Sequence, residues 1–504
     1  MKRALIWAGA GVLLLAVGAG IWQGGYLQRS VETTPAPSAA TEDTQTETRS
    51  FAIRGVIEGF YGKPWSFEER LSMFDFMADH RYNTYVYAPK DDPYQRVSWA
   101  DLYPAADAER MKQLVQGAEN RRIRFVYSIS PGVPAPLPGQ KLTQEAIDRS
   151  IGYSVAADRE RLKKKLEQMR GLGVKTVMLS FDDVASQMKD KDRGIYGTDL
   201  GAAHVELANL VLEEQRALDP EFTLWFAPTR YHGVKDNQYW QTVRAKLNPD
   251  IHVIWTGKEI VSPAIRSEEA DQVAKWLGRK PLVWDNYPVN DFTYEIDHRP
   301  QLFLGPLEGR DADLHLHTAG LLANPMIQPE ASKLALATVG DYLDDPKGYD
   351  PEQAWGESLA ALRGVKDAKV LASMLAYART SPVHAAPDAR IAELIAAFWK
   401  DPAPASAATA HLRSEFERLQ RLPVGLPTAV ENKALLAEIN PWVRKLAGQG
   451  EAGLLAIEYL SLPPEHAEKA TAKAQLVGKL QKLQADPTKI GEEVLEFALE
   501  AVKK

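Results

Sequence analysis

The sequence predicts an α/β fold: a (β/α)8 TIM-type barrel followed by an all-helical C-terminal domain. Two observations carry this expectation. Between Phe51 and Pro325, short β-prone runs alternate with segments of helical periodicity, and there are eight such runs. That alternation implies parallel strands with crossover helices, and eight units suit a closed barrel. Beyond Pro325 the strand-like runs stop, and Ala/Leu/Glu-rich segments with 3–4 spacing take over. A Rossmann-like open sheet is the competing architecture, but no G-x-G-x-x-G follows the first run.

The chain opens with "MKRALIWAGAGVLLLAVGAGIW", two positive charges and then 19 uncharged residues from Ala4 to Trp22. That run is close to the length that spans a bilayer. Lys2 and Arg3 predict the N-terminus inside and the bulk of the protein outside. Residues 1–28 are therefore expected to be a signal anchor, which puts the remainder in the periplasm, tied to the inner membrane by residues 4–22. A cleaved signal peptide is the alternative, given the small residues around Ala16–Gly20. Residues 29–50 are Thr/Pro/Ala/Glu-rich and read as a solvated linker.

The barrel is expected over residues 51–335. Its runs are "AIRGVIEGFYG", "TYVYAP", "RFVYSISPG", "TVMLSFDD", "TLWFAPTRY", "HVIWTG", "LVWDNYPVND" and "TAGLLANP". Intervening segments such as "DRERLKKKLEQMRGLG" and "AAHVELANLVLEEQRAL" carry helical periodicity and end near Gly or Pro. Polar and aromatic residues collect where the runs end: Glu58–Tyr61, Lys90–Asp92, Asp182–Asp183, Thr229–Tyr231, Trp284–Asn286 and Asn324. In a closed barrel those ends share one face, the face that carries active sites. Residues 336–504 are expected to form a helical bundle, broken by "KDPAPAS" and "RLPVGLP".

Composition narrows the function. Apolar residues make up 45% of the 504, which excludes global disorder, and a net charge of −7 argues against nucleic acid as a partner. With no cysteine, disulfides, thiolate zinc sites and a cysteine nucleophile are excluded. No metal site is expected. His315 and His317 in "HLH" would share one face of a strand, but no third ligand stands at a telling spacing. There is no G-x-S-x-G elbow and no phosphate loop.

Asp182 and Asp183 close the fourth run. Two carboxylates this near cannot both ionise easily, so one of them should be raised, which suits acid/base work on a glycosidic bond. Taken alone, the dipeptide fits a helix N-cap followed by a first-turn acid better. Trp65, Trp225, Trp255 and Trp284 suit either core or the stacking faces of a sugar site.

Together the motifs are more specific. "RGVIEGFYGKPWS", "YAPKDDPY", "SISPG", "LSFDDV", "WFAPTRYHG", "IWTG", "WDNYPVND", "FLGPLEGR" and "LLANP", in that order, closely resemble glycoside hydrolase family 84. This family of β-N-acetylglucosaminidases includes O-GlcNAcases and bacterial enzymes once labelled hyaluronidases. The resemblance spans Arg54 to Pro325; "YDPEQAWGESL" and "INPWVRKL" resemble the family's post-catalytic helices more loosely. It implies that Asp182 polarises the substrate's 2-acetamido group and that Asp183 is the acid/base. It further implies sugar contacts from Gly59, Lys90, Tyr231, Trp284, Asn286, Asp291 and Asn324, with no cofactor. The expected activity is retaining, exo-acting and substrate-assisted, on terminal β-linked GlcNAc of a glycan or glycoconjugate. The alternatives are an endo-acting hexosaminidase on hyaluronan or peptidoglycan, and a catalytically idle glycan-binding protein. The stretch from Val133 to Tyr153 is longer than the family's usual connection and bears on the cleft rim.

Overall fold

The computed structural model describes residues 49–136, 141–384 and 389–504. The expected anchor (1–28) and all but the last two residues of the linker (29–50) lie outside the described residues. Among the described residues no helix is long and apolar enough to cross a membrane.

Eight strands form the closed barrel: β1 (Arg54–Glu58), β2 (Thr84–Tyr87), β3 (Arg124–Ile129), β4 (Thr176–Ser180), β5 (Thr223–Ala227), β6 (His252–Trp255), β7 (Leu282–Asp285) and β8 (Gly320–Ala323). Each pairs in parallel with its neighbour in sequence, and β1 pairs with β8 to close the ring. The alternation of side chains along a strand divides the core. Ile57, Val86, Val126, Met178, Trp225, Ile254, Leu282 and Leu322 cluster inside the barrel. Val56, Tyr85, Val177, Leu179 and Leu224 belong to the larger outer cluster. Both faces of every strand are buried, which is why the runs read as nearly continuous apolar segments.

Local chemistry sets where the outer helices begin. Ser66 and Glu69 make a capping box at the start of Phe67–Asp79. Asp199 accepts from Ala202 N–H to open Leu200–Leu218. The "HLH" segment departs from the sequence reading: Leu314–His317 is a single helical turn, not a strand. His317 Nδ1 lies 2.8 Å from Asp271 Oδ1, so its partner is a neighbouring carboxylate.

The helix Pro329–Asp344 follows β8 and is buried on nearly every side. Barrel and C-terminal helices both pack on it, so the 335/336 division falls inside a continuous element. The long helix Lys433–Ser461 joins the two regions. Its Glu438 accepts from the N–H groups of Glu330 (3.2 Å) and Ala331 (2.8 Å), and its Trp442 Nε1 donates to Pro300 O at 3.1 Å. Thr48–Lys504 accordingly forms one compact unit, with the strands' C-terminal ends at one mouth.

Candidate active site

The aspartate pair and the seven sugar contacts that the resemblance implies all line one cavity of about 260 Å³ at that mouth. Strand parity accounts for the first aspartate. Met178 faces the barrel interior, and Ser180 Oγ meets Ser128 Oγ at 2.8 Å. Asp182 continues that inward series, while Phe181 faces out and stacks on His204 at 3.8 Å between ring centres. By parity Asp183 would also face out, but its backbone is left-handed, with φ +51°. That conformation, which aspartate tolerates better than most residues, swings its side chain back over the same cavity. No helix starts here; the next begins at Asp190, so the N-cap reading of the pair is set aside.

The turn is held by the segment after β3. Ala135 N donates to Asp183 O at 2.8 Å, Ala185 N donates to Val133 O at 2.9 Å, and Pro134 bridges Val184. The longer connection beginning at Val133 thus anchors the aspartate turn before it forms part of the cavity wall.

The two carboxylates meet different surroundings. Asp182 is sealed, with its side chain 6% exposed. Its Oδ2 accepts from Lys90 Nζ and lies 3.7 Å from Arg96 Nη2, which also donates to the Asp182 carbonyl at 3.2 Å. Its Oδ1 is buried and has no hydrogen-bond partner. Asp183 is 31% exposed, with Tyr231 donating to Oδ1 at 2.7 Å and Tyr61 to Oδ2 at 3.0 Å.

The expectation that one carboxyl of the pair is raised does not hold for Asp183. Burial pushes it up, but Lys90, the Tyr231 hydroxyl, Arg96 and the Tyr61 hydroxyl together hold it below the usual carboxylate range. Two cations, Lys90 and Arg96, stand beside the two negative charges and are not apparent from the Asp-Asp dipeptide. Burial, followed by the charge of Asp183, keeps Tyr231 a protonated donor. The raised carboxyl in the cavity is Asp291: burial lifts it, although it accepts from Tyr61 N (2.8 Å) and Phe292 N (2.7 Å).

The other residues form a connected floor. Asn324 Oδ1 accepts from Gly59 N at 3.2 Å, and its Nδ2 donates to Asn286 Oδ1 at 2.9 Å. Asn286 in turn donates to Ile260 O at 2.7 Å. Trp284 packs on Gly59 so closely that a Cβ there would sit 2.4 Å from Cζ2, which explains a glycine at this position. Lys90 Nζ lies 5.3 Å from the centre of the same indole.

Several readings change once the positions are known. Of the four tryptophans considered, only Trp284 lines the cavity; Trp65, Trp225 and Trp255 are buried core. Glu58 turns outward and takes two 2.7 Å bonds from Arg70, tying β1 to the helix Phe67–Asp79. Asp92 accepts from Tyr87 and Tyr103, each at 2.7 Å. Arg96 was not singled out, and Tyr61 only as part of the Glu58–Tyr61 cluster, although both contact the aspartate pair. Arg96 lies just past "YAPKDDPY"; the only local sign was an arginine within a loop already rich in charge.

Comparison with known proteins resolves the ancestry of this arrangement. The family model described as beta-N-acetylglucosaminidase matches residues 54–377. The chain belongs to that family of glycoside hydrolases. A second model, described as hyaluronidase post-catalytic domain-like, matches residues 390–497 of this β-N-acetylglucosaminidase family member. The chain is 34% identical over 332 residues to a protein O-GlcNAcase of Mus musculus, covering 63% of this chain and 33% of that protein. Against a protein O-GlcNAcase of Rattus norvegicus it is 35% identical over 294 residues, covering 57% and 29%. It thus spans about a third of the length of these curated relatives. A solved mutant of an O-GlcNAc hydrolase from Thermobaculum terrenum superposes with a TM-score of 0.80 at 29% identity, covering 90% of this chain and 94% of that one.

Proposed function

We propose that this glycoside hydrolase is a retaining, exo-acting β-N-acetylglucosaminidase whose nucleophile is the substrate's own acetamido oxygen. The observation that carries the reading is Asp182, a residue of the cavity wall: one carboxylate oxygen is fixed by Lys90 and the other is buried and unpartnered. A buried acceptor without a donor is costly unless a ligand supplies one. The N–H of a 2-acetamido group is such a donor, and accepting it pushes electron density onto the acetamido oxygen.

In the proposed course, that oxygen attacks the anomeric carbon as the bond to the leaving oxygen breaks, and Asp183, which must carry a proton in the reacting complex although Lys90 and Arg96 hold it low in the free site, transfers that proton to the leaving oxygen. Asp183 then takes a proton from water, which attacks the anomeric carbon and restores the acetamide. Two displacements give net retention. Tyr231, Asn286 and Trp284 would line the acetamido arm, and Asp291 and Asn324 would take the sugar hydroxyls. Lys90 and Gly59 hold the surrounding walls.

Progressive fluorination of the substrate's N-acetyl group tests the mechanism, because it weakens the attacking oxygen. A steep fall in kcat is expected, with β-configured product; an unchanged kcat would point to a nucleophile on the enzyme. Product sizes on oligosaccharides separate exo from endo action: single residues are expected from the first time points, and larger fragments would favour the endo reading. For location, the proposal is a periplasmic enzyme held at the inner membrane by residues 4–22. Fractionation should place full-length protein in the membrane pellet, and recovery of intact soluble cytoplasmic protein would exclude it.

A further inference from the structure

The cavity continues above its polar floor. There it is walled by Ala135, Pro136, Ile260, Val261, Phe292 and Ile296. Ile260 and Ile296 are 49% and 57% exposed, although most large aliphatic side chains of the described residues are buried. A solitary exposed isoleucine needs no explanation, but two on the wall of one functional cavity form an apolar patch with a use.

Both are tied to the floor beneath them. The carbonyl of Ile260 takes the Asn286 bond already described. The short helix Asp291–Glu295 begins at a floor residue, and Ile296 N donates to Phe292 O at 3.0 Å just beyond it. The collar therefore keeps a fixed place relative to the sugar-sized floor. Among the described residues its one charged side chain is Glu295, close enough to Asp91 for its charge to add to the burial that raises the Asp91 carboxyl. The cation of the cavity, Lys90, lies below, bound to Asp182.

We propose that this collar, with Glu295, is the leaving-group subsite, and that it selects apolar aglycones, neutral or cationic, over carboxylate-bearing or hydroxyl-rich ones. This rests on the glycosidase reading above and names the substrate class that reading leaves open. A second sugar would exchange water for aliphatic side chains and leave its hydroxyls short of partners. A uronic acid would in addition meet Glu295 with like charge. An alkyl chain or an apolar peptide side chain meets complementary surface.

A homologous series of alkyl N-acetyl-β-glucosaminides, methyl to hexyl, tests this because the leaving alcohols differ little in acidity. A fully buried methylene is worth roughly fourfold, so a half-covered chain should raise kcat/KM about twofold per methylene. The double variant Ile260→Ser/Ile296→Ser, with parent-like melting, should flatten that slope. A 5-carboxypentyl glycoside should react more slowly than the hexyl glycoside, and Glu295→Gln should narrow that gap. A flat parent series, or a carboxylate-ended chain as good as a methyl-ended one, would overturn the collar while leaving the glycosidase intact. Absence of turnover on every member, and on an activated aryl glycoside, would overturn both.

Discussion

Gly59→Ala isolates one contact on which the floor of the site depends. Gly59 is not in the left-handed region, so alanine suits its backbone and most of the penalty falls on Trp284, with a lesser contact to Ile57 Cγ1 at 3.3 Å. The added Cβ would lie 2.4 Å from Cζ2, and ordinary contact begins at 3.4 Å, so the indole must retreat by about 1 Å. Trp284 is 6% exposed and packed among barrel-interior side chains, with little space to move into. Overpacking of this kind costs about 1–3 kcal/mol of stability. A displacement of about 1 Å in a positioning wall costs about 10²-fold in rate. Both losses should be seen, by thermal melting and by kcat/KM on an aryl N-acetylglucosaminide. Trp284→Phe supplies the control, since a phenyl ring lacks the atoms that collide. In that background Gly59→Ala should cost less than ~0.5 kcal/mol and little further activity, a coupling that marks direct contact. Equal penalties in both backgrounds would refute the argument and place the cost in the backbone.

Three further outcomes follow. Asp183→Ala should lose about 10²–10⁴-fold on poor leaving groups and far less on activated aryl glycosides, with azide restoring turnover, whereas Asp182→Ala should be slow on all and unresponsive to azide; the reverse pattern would exchange the roles. Arg96 helps hold Asp183 down, so Arg96→Gln should move the alkaline limb of kcat/KM to higher pH and Arg96→Lys should largely restore it; an unmoved limb would reduce Arg96 to a spacer. Burial, reinforced by the charges of Glu330 and Glu69, pushes Glu438 up to about 7 despite its two N–H bonds. A carboxyl raised on folding contributes stability fully below its unfolded value and loses it as pH climbs through about 7. Glu438→Gln should therefore raise Tm at about pH 8.5 and not at about pH 5, and a rise at both would sever it from titration.

The strands were legible because both of their faces are buried, which leaves short unbroken apolar runs. The single turn at Leu314–His317 was not, since four residues with alternating polarity fit a strand as well as a helix. The nine site residues were legible through family motifs, and the structure adds what holds them together. Arg96 escaped because its reach depends on how its loop folds back: Ser130 N donates to Gln95 O at 2.9 Å, stitching that loop to the end of β3. No spacing in the sequence encodes that contact. The left-handed backbone at Asp183 escaped for the same reason, since it is held by Ala135 from a distant segment.

That backbone is what makes adjacency useful. Two residues in plain strand geometry would divide between the barrel interior and the outer layer, and only one could touch a ligand. Inverting the backbone at the second brings both carboxylates to one cavity while keeping their surroundings apart. Asp182 stays sealed between Lys90 and Arg96, and Asp183 rises toward the mouth between two phenols. An enzyme nucleophile and an acid must flank the scissile bond from opposite faces, about 5–5.5 Å apart. Asp182 and Asp183 instead follow each other at the end of one strand and share Lys90 as a neighbour, within 4 Å of both. In the course proposed above the sugar supplies the nucleophile, and the buried, unpartnered acceptor on Asp182 is the feature such a substrate would use.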